Sequence, residues 1–157
     1  MKPEINIELF EEHEKVTYYT LRISGEETEI EKFFDKFPEN SDYNEDINII
    51  ISWIDTIGEN GAMERYFRYE GKYKDRVFAI PVETTNIRLY VLRLSENIII
   101  LGNGGIKKTA TYNEDSILRG CVELLQKVDS ILKSRISNNQ ITIYGKNIFG
   151  NTILYLD

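Results

Sequence analysis

Cysteine and histidine are almost missing from this sequence, which has one of each among its 157 residues. A single cysteine excludes an intramolecular disulfide, so we expect a cytoplasmic protein. Zinc sites need several Cys or His ligands, and Cys121 and His13 lie far apart in the chain. Catalysis of the Ser-His-Asp or Cys-His kind would depend on His13 alone, which we interpret as a turn residue. We therefore expect no metal and no cofactor, and we expect Cys121 to lie in the core.

Long apolar runs are absent as well. No segment approaches the length of a membrane span, and the first residues, Met-Lys-Pro-Glu, do not resemble a signal peptide. We therefore expect no membrane partner. The length of 157 residues and the hydrophobic content of 41% predict a single packed domain over residues 1–157.

Positive charge is scarce in the first part of the chain and common in the middle. Residues 1–60 hold 16 acidic and 5 basic side chains, a net charge of −11. Residues 61–112 hold 5 acidic and 9 basic side chains, a net charge of +4, and residues 113–157 hold 5 of each. An excess of Lys and Arg inside an acidic protein favours a surface that faces a polyanion. The alternative is that glutamates on the N-terminal helices serve solubility and the rest of the chain is average.

Hydrophobic spacing predicts three helices. The first begins near Glu26 and ends before Pro38, and the second runs from about Asp42 to Gly58. The third and longest follows a predicted capping box at residues 111–114. Two helices therefore precede the basic middle of the chain and one follows it.

Alternating patterns and short apolar runs predict strands at 5–10, 16–23, 66–69, 77–82, 87–94, 97–101, 141–144 and 152–156. The nearly wholly apolar segments 87–94 and 97–101 should be covered on both faces and central. The last two strands are expected to form a hairpin. Gly102–Gly105 are expected either to turn with positive φ or to let another chain approach closely. Because strands and helices segregate, we predict an α+β fold, with two N-terminal helices on an antiparallel meander and a C-terminal helix.

Charged and apolar residues ahead of the third helix carry a resemblance to a known family. Glu83 is followed by Ile87-Arg88-Leu89-Tyr90, by Ile99-Ile100-Leu101 and then by Lys107-Lys108-Thr109. Together with the order helix, helix, meander, helix, this pattern resembles the RelE/HigB superfamily of bacterial toxins. The resemblance covers roughly residues 16–136.

The resemblance implies a RelE-like core to which residues 1–15 and 137–157 are additions. Members of this superfamily cut messenger RNA on the ribosome, usually under the control of an antitoxin encoded beside them. The resemblance therefore implies the toxin of a toxin-antitoxin pair, acting as a metal-independent mRNA interferase. Its expected partners are the ribosome, mRNA and a cognate antitoxin, for which a helix-turn-helix protein is one candidate.

Position by position, the resemblance points to four catalytic residues. Arg88 matches the arginine of the family's third strand, Lys107 and Lys108 match the basic pair after the last strand, and Tyr112 lies just ahead of the C-terminal helix. Attack by the 2′-hydroxyl of RNA needs a base, cations for the phosphate and an acid for the leaving oxygen. Lysine, arginine and tyrosine supply these groups without a histidine.

The strand that precedes Arg88 lacks two lysines found in the RelE branch, and basic and aromatic residues just upstream are expected to bind RNA in their place. These residues are Lys72, Tyr73, Lys74 and Arg76. In the alternative interpretation Arg88 pairs with a carboxylate such as Glu83, and the two lysines merely end a strand in solvent. The corresponding alternative function is a non-catalytic protein-interaction module that retains the RelE-like fold.

Overall fold

The computed structural model describes residues 3–69, 75–80, 86–108 and 115–156. Within these ranges the chain forms nine strands, β1 to β9, which in chain order are Glu4–Glu12, Thr17–Ile23, Arg68–Tyr69, Val77–Ile80, Ile87–Ser95, Ile98–Ile106, Ile141–Tyr144, Asn147–Gly150 and Ile153–Tyr155. It also forms three α-helices, α1 to α3, which are Glu29–Asp35, Asn44–Asn60 and Ser116–Ser137. The α+β class is therefore confirmed. None of the described helices is long and apolar enough to cross a bilayer.

Seven strands form one sheet in the order β3-β4-β5-β6-β2-β1-β9. All described neighbours in this sheet are antiparallel except β2 and β6, which pair in parallel with Thr17 opposite Ile98. The remaining strands, β7 and β8, form a separate two-stranded sheet. The central place predicted for the two most apolar strands is confirmed, because β5 and β6 lie in the interior of the sheet.

Helices cover both faces of this sheet, as the alternation of side chains along β5 shows. Leu89 and Val91 belong to the cluster under α1 and α2, whereas Tyr90 and Leu92 belong to the cluster under α3. Each fully buried apolar side chain stabilises the fold by about 1.5–3 kcal/mol relative to exposure. Fully buried side chains from the helices include Ile30, Phe33, Ile50, Ile57, Leu125 and Val128.

One predicted strand pairing was wrong, and one predicted helix cap falls outside the described residues. Residues 141–144 pair with Asn147–Gly150, while Ile153–Tyr155 add to the edge strand β1, so the two predicted terminal strands do not pair with each other. Helix α3 is capped by Asp115, whose side chain accepts hydrogen bonds from the N–H groups of Ile117 and Leu118. The expected cap at 111–114 lies outside the described residues.

Gly102–Gly105 lie inside β6 rather than in a turn. In the described part of the chain the glycines with positive φ are elsewhere, at Gly25, Gly61, Gly145 and Gly150. The pairing of β6 shifts register opposite Leu89 and Val91, which marks a bulge. A Cβ on Gly104 would overlap the carbonyl oxygen of Arg88 and lie 2.9 Å from its carbonyl carbon. The glycines therefore admit the neighbouring strand of the same chain, and the expectation of positive φ was wrong.

Helix α1 begins with a capping box. The Thr28 hydroxyl accepts a hydrogen bond from the Glu31 N–H at 3.3 Å, and the Glu31 carboxylate accepts from the Thr28 hydroxyl and N–H at 2.7 and 3.1 Å. These hydrogen bonds, first from the hydroxyl and then from the backbone, lower the pKa of Glu31. Because the folded-state pKa is lowered, the contribution of the box is present above the ordinary carboxyl pKa and is lost as the pH falls through the lowered value.

We expect Thr28→Ala to lower the free energy of unfolding by about 1 kcal/mol, since it removes the side-chain cap of α1. The matched control is Thr56→Ala on the exposed surface of α2, which should change that free energy by less than about 0.5 kcal/mol. Urea unfolding measures both variants. Equal losses from the two substitutions would show that the capping box adds nothing specific.

Candidate functional site

The structure describes four of the eight predicted site residues. Tyr112, Lys72, Tyr73 and Lys74 lie outside the described ranges, as does Glu83, the carboxylate considered as a partner of Arg88. Their roles therefore stay predictions.

Arg88 is a buried residue of a central strand. Its exposed fraction is 4%, and its Nη1 donates a hydrogen bond to the carbonyl oxygen of Ile87 at 3.1 Å. By the alternation along β5 it shares the face of Tyr90, which α3 covers. Its ladder partner is Gly105 of β6. The guanidinium is thus fixed inside the protein near the end of the β5–β6 hairpin.

Lys107 and Lys108 follow β6 directly at this same end of the hairpin. The N–H of Lys107 donates to the carbonyl oxygen of Asn86 at 2.6 Å, which continues the β5–β6 pairing by one position. Lys107 is half-buried and Lys108 is exposed. The sequence predicts that Arg88 and the two lysines lie at one edge of the sheet. In the structure Arg88 pairs with Gly105, and Lys107 and Lys108 follow two and three residues after that glycine.

A pocket of about 290 Å³ opens where β6 ends, between the C-terminus of α1 and the N-terminus of α3. Two lysines line it, Lys36 and Lys108, together with the N-cap residue Asp115. The rest of the lining is Phe37, Gly105, Ile106, Ile117 and Leu118. The pocket therefore combines apolar walls with two cations and one carboxylate.

Lys36 is held over the glycine segment of β6. It is the C-cap residue of α1, and its Nζ donates to the carbonyl oxygen of Gly104 at 2.6 Å and to Oδ1 of Asn103 at 3.1 Å. A Cβ on Gly105 would lie 4.0 Å from this Nζ. The ammonium group is therefore anchored next to the ladder position of Arg88, and among the described residues no acceptor takes its third donor position.

Asp115 limits what this end of α3 can bind. Its Oδ1 accepts hydrogen bonds from the N–H groups of Ile117 and Leu118 at 2.9 and 3.1 Å. These groups would otherwise attract an anion to the helix N-terminus. Binding of an anion in this pocket thus depends on the lysines and not on the helix.

Arg76 binds a carboxylate inside the protein. Its Nε and Nη2 lie 2.8 and 2.6 Å from Oδ1 of Asp129, a residue of α3 that is 2% exposed. Lys133 lies 3.1 Å from the other oxygen of Asp129. These contacts fasten the start of β4 to α3 and occupy the Arg76 guanidinium, which was predicted to bind RNA.

Cys121 is partly buried against the α3 cluster. Burial raises the pKa of its thiol to about 11, an effect that the charge of Lys36 only partly offsets. The thiol is therefore protonated at neutral pH, which agrees with the expectation that Cys121 packs in the core.

Sequence reasoning missed Lys36 and Asp115. Lys36 is 72 residues from Lys108 in sequence, and nothing local distinguishes it from the other charged residues of the first helix. Only the packing of α1 on β6 brings it to the pocket. The sequence signal for Asp115 was its place one residue ahead of the third helix, where Asp is a preferred cap.

Comparisons with protein-family models, curated proteins and solved structures find no match. The function is therefore inferred from the fold and from the pocket.

Proposed function

We propose that this protein is a RelE/HigB-like toxin of a toxin-antitoxin pair that cleaves mRNA on the ribosome, and that RNA enters the pocket between α1 and α3. The observation that supports this proposal most is the pair Lys36 and Lys108 on an apolar pocket beside the ladder position of Arg88. Lysines fix phosphates while apolar walls accept a base, and single-stranded RNA offers both groups.

The proposed roles follow from where each cation lies. Lys36 and Lys108 hold the scissile phosphate, because both line the open pocket. Arg88 stabilises the negative charge of the phosphate from inside the protein, as a fixed positive charge, since its guanidinium is buried. Lys107 and Tyr112 are the proposed proton carriers for attack by the 2′-hydroxyl and departure of the 5′-oxygen. The expected antitoxin would cover this pocket or block its approach to the ribosome.

Induced expression tests the proposal. The unmodified protein should arrest growth, and Lys36→Ala/Lys108→Ala should relieve that arrest because it removes both phosphate contacts. The matched control, Lys15→Ala/Lys127→Ala, removes the same charge from exposed positions outside the pocket and should leave the arrest intact. Absence of arrest, or arrest unaffected by the pocket substitutions in a folded variant, would overturn the proposal.

RNA binding gives a second, cell-free measurement of the same variants. The pocket substitutions should weaken binding to a single-stranded RNA by about 10-fold and reduce the slope of log affinity against log salt by about 1.4, since each phosphate contact to a single strand adds about 0.7. The control pair should leave both quantities unchanged.

Exposed apolar residues on α2 favour a second candidate, the non-catalytic protein-interaction module. Ile49 and Ile51 are each 41% exposed, and Ile49 and Trp53 line a surface groove of about 300 Å³. Exposed apolar patches on soluble proteins mark interaction sites. Under this second candidate, expression causes no arrest, and Ile49→Lys abolishes capture of a protein partner whose binding resists salt.

A further inference from the structure

A histidine and two carboxylates converge at the opposite end of the sheet from the pocket. Glu11 lies in β1, His13 in the turn before β2, and Asp55 in α2. One ligand atom from each lies within 4.8 Å of the others, and Nε2 of His13 is 2.9 Å from Oε1 of Glu11. The His13 turn lies near Ile98, the first residue of β6, because Ile98 pairs with Thr17. Gly105 of the pocket is seven residues further along β6, which at the usual rise places it about 20 Å away.

These three groups suit a divalent transition metal. Imidazole nitrogen and carboxylate oxygen bind zinc at about 2.0–2.2 Å, so ligand atoms of one ion lie about 3.3–3.6 Å apart in tetrahedral geometry. To reach this geometry the widest separation must close by up to about 1.5 Å, and the 2.9 Å contact between His13 and Glu11 must open by about 0.5 Å. Glu11 and Asp55 are exposed and can supply that movement by rotation of their side chains.

The His13 imidazole packs closely against Gly58 of α2 and against the ring of Tyr18. A Cβ on Gly58 would lie 2.5 Å from Nδ1 and 2.7 Å from Cβ of His13, so the helix surface accepts this ring only because residue 58 has no side chain. The ring of Tyr18 meets it edge-on at 5.3 Å. The turn is fixed by hydrogen bonds from the His13 N–H to the Val16 carbonyl and from Lys146 Nζ to the His13 carbonyl, both at 2.8 Å.

The charges around this cluster favour a cation. The Asp55 carboxylate has neither a hydrogen bond nor an ion pair to any other described residue. The neighbouring cation, Lys146, is directed instead to the backbone carbonyls of His13 and Glu14 and to Glu12. No described Lys or Arg side chain pairs with Glu11 or Asp55, so the two carboxylates and the imidazole face one another in the part of the chain that carries −11.

Open space borders the two carboxylates. A pocket of about 190 Å³ is lined by Glu11 and Asp55 together with the apolar residues Phe10, Phe34, Ile51 and Ile54. An ion held by three protein groups at the rim of this pocket would keep coordination positions for water or a small ligand, as open zinc sites do.

We propose that Glu11, His13 and Asp55 form a binding site for a divalent transition metal ion that joins the β1–β2 turn to α2 and opens to this pocket. The site differs from the expectation of no metal that the scarcity of Cys and His suggested, because it uses one imidazole with two carboxylates from distant parts of the chain.

Calorimetry with ZnCl2 and the absorption spectrum with CoCl2 test the site on protein that carries no affinity tag. The unmodified chain should bind one ion, with zinc at least about 10-fold tighter than Mg²⁺, because imidazole selects transition metals. His13→Gln, Glu11→Gln and Asp55→Asn should each weaken zinc binding at least about 10-fold. The control, Glu12→Gln, removes an exposed carboxylate of the same strand end and should leave the affinity unchanged.

Gly58→Ala is the sharpest variant because it keeps all three ligands and displaces only the imidazole. Misplacement of a ligand usually costs 10- to 100-fold in metal affinity, so we expect about that loss, and Gly120→Ala in an open part of α3 should cause none. Equal affinity for zinc and Mg²⁺, or zinc binding that survives both Glu11→Gln and Asp55→Asn at these exposed positions, would overturn the proposal.

Discussion

Replacement of Gly104 with valine is expected to destabilise the protein by about 4 kcal/mol or more, a large part of the roughly 5–15 kcal/mol by which native domains are stable. A Cβ at this position would overlap the Arg88 carbonyl oxygen and lie 3.1 Å from Cα of Leu89. These are backbone atoms of the paired strand β5, so no side-chain rotation relieves the overlap. Relief requires β5 and β6 to separate in the centre of the sheet.

Circular dichroism and urea unfolding measure this effect, with Gly120→Ala as the control. Gly120 is exposed in α3, and a Cβ there would meet nothing within 4 Å. That control should stabilise the protein by about 0.5–1 kcal/mol, the usual gain from alanine inside a helix. If the Gly104→Val protein has the same midpoint of urea unfolding as the unmodified chain, β5 does not approach β6 as closely as the structure shows.

Replacement of Arg76 with leucine is expected to lower the free energy of unfolding by about 2–3 kcal/mol. The substitution leaves the carboxylate of Asp129 buried without its arginine partner, and loss of one member of a buried pair is costly. Lys133 stays 3.1 Å from Asp129 and offsets part of the loss. The further substitution Asp129→Leu should recover most of the lost stability, since an apolar pair needs no desolvated charge.

Urea unfolding of the two single variants and the double variant gives the coupling energy between Arg76 and Asp129. Lys127→Ala, an exposed change on the same helix, is the control and should be neutral. RNA affinity, measured in parallel, should change less than about 2-fold in the folded Arg76→Leu protein. An unchanged stability with a 10-fold loss of RNA affinity would instead make Arg76 the RNA-binding residue that the sequence suggested.

Local patterns predicted the helices better than the partners of the strands. The spacing of Ile30 and Phe33 in α1, and of similar residues in α2 and α3, depends only on neighbours within two turns. The pairing of β9 with β1 joins residues about 150 positions apart, and no local pattern distinguishes it from a C-terminal hairpin. The parallel pairing of β2 with β6 escaped prediction for the same reason.

The candidate site was predictable only where it is continuous in sequence. Lys107 and Lys108 stand directly after an apolar strand, so the strand end fixes where they lie. Lys36 and the cluster of Glu11, His13 and Asp55 are assembled by packing of α1 and α2 on the sheet. These groups could be identified as candidate sites only from the distances between them in the structure, because they lie far apart in sequence.

The parallel contact between β2 and β6 has a consequence during synthesis of the chain. Thr17 pairs with Ile98, so the β2 edge of the β1–β2 hairpin has no partner strand until 81 further residues have been added, and the β1 edge waits longer still for β9. At about 5–20 residues per second this interval lasts about 4–16 s. For that time the apolar side chains of the nascent hairpin, such as Tyr18 and Leu21, lack the cover that later segments provide. The order in which the polypeptide emerges thus leaves its N-terminal hairpin in need of chaperone protection until β6 has been synthesised.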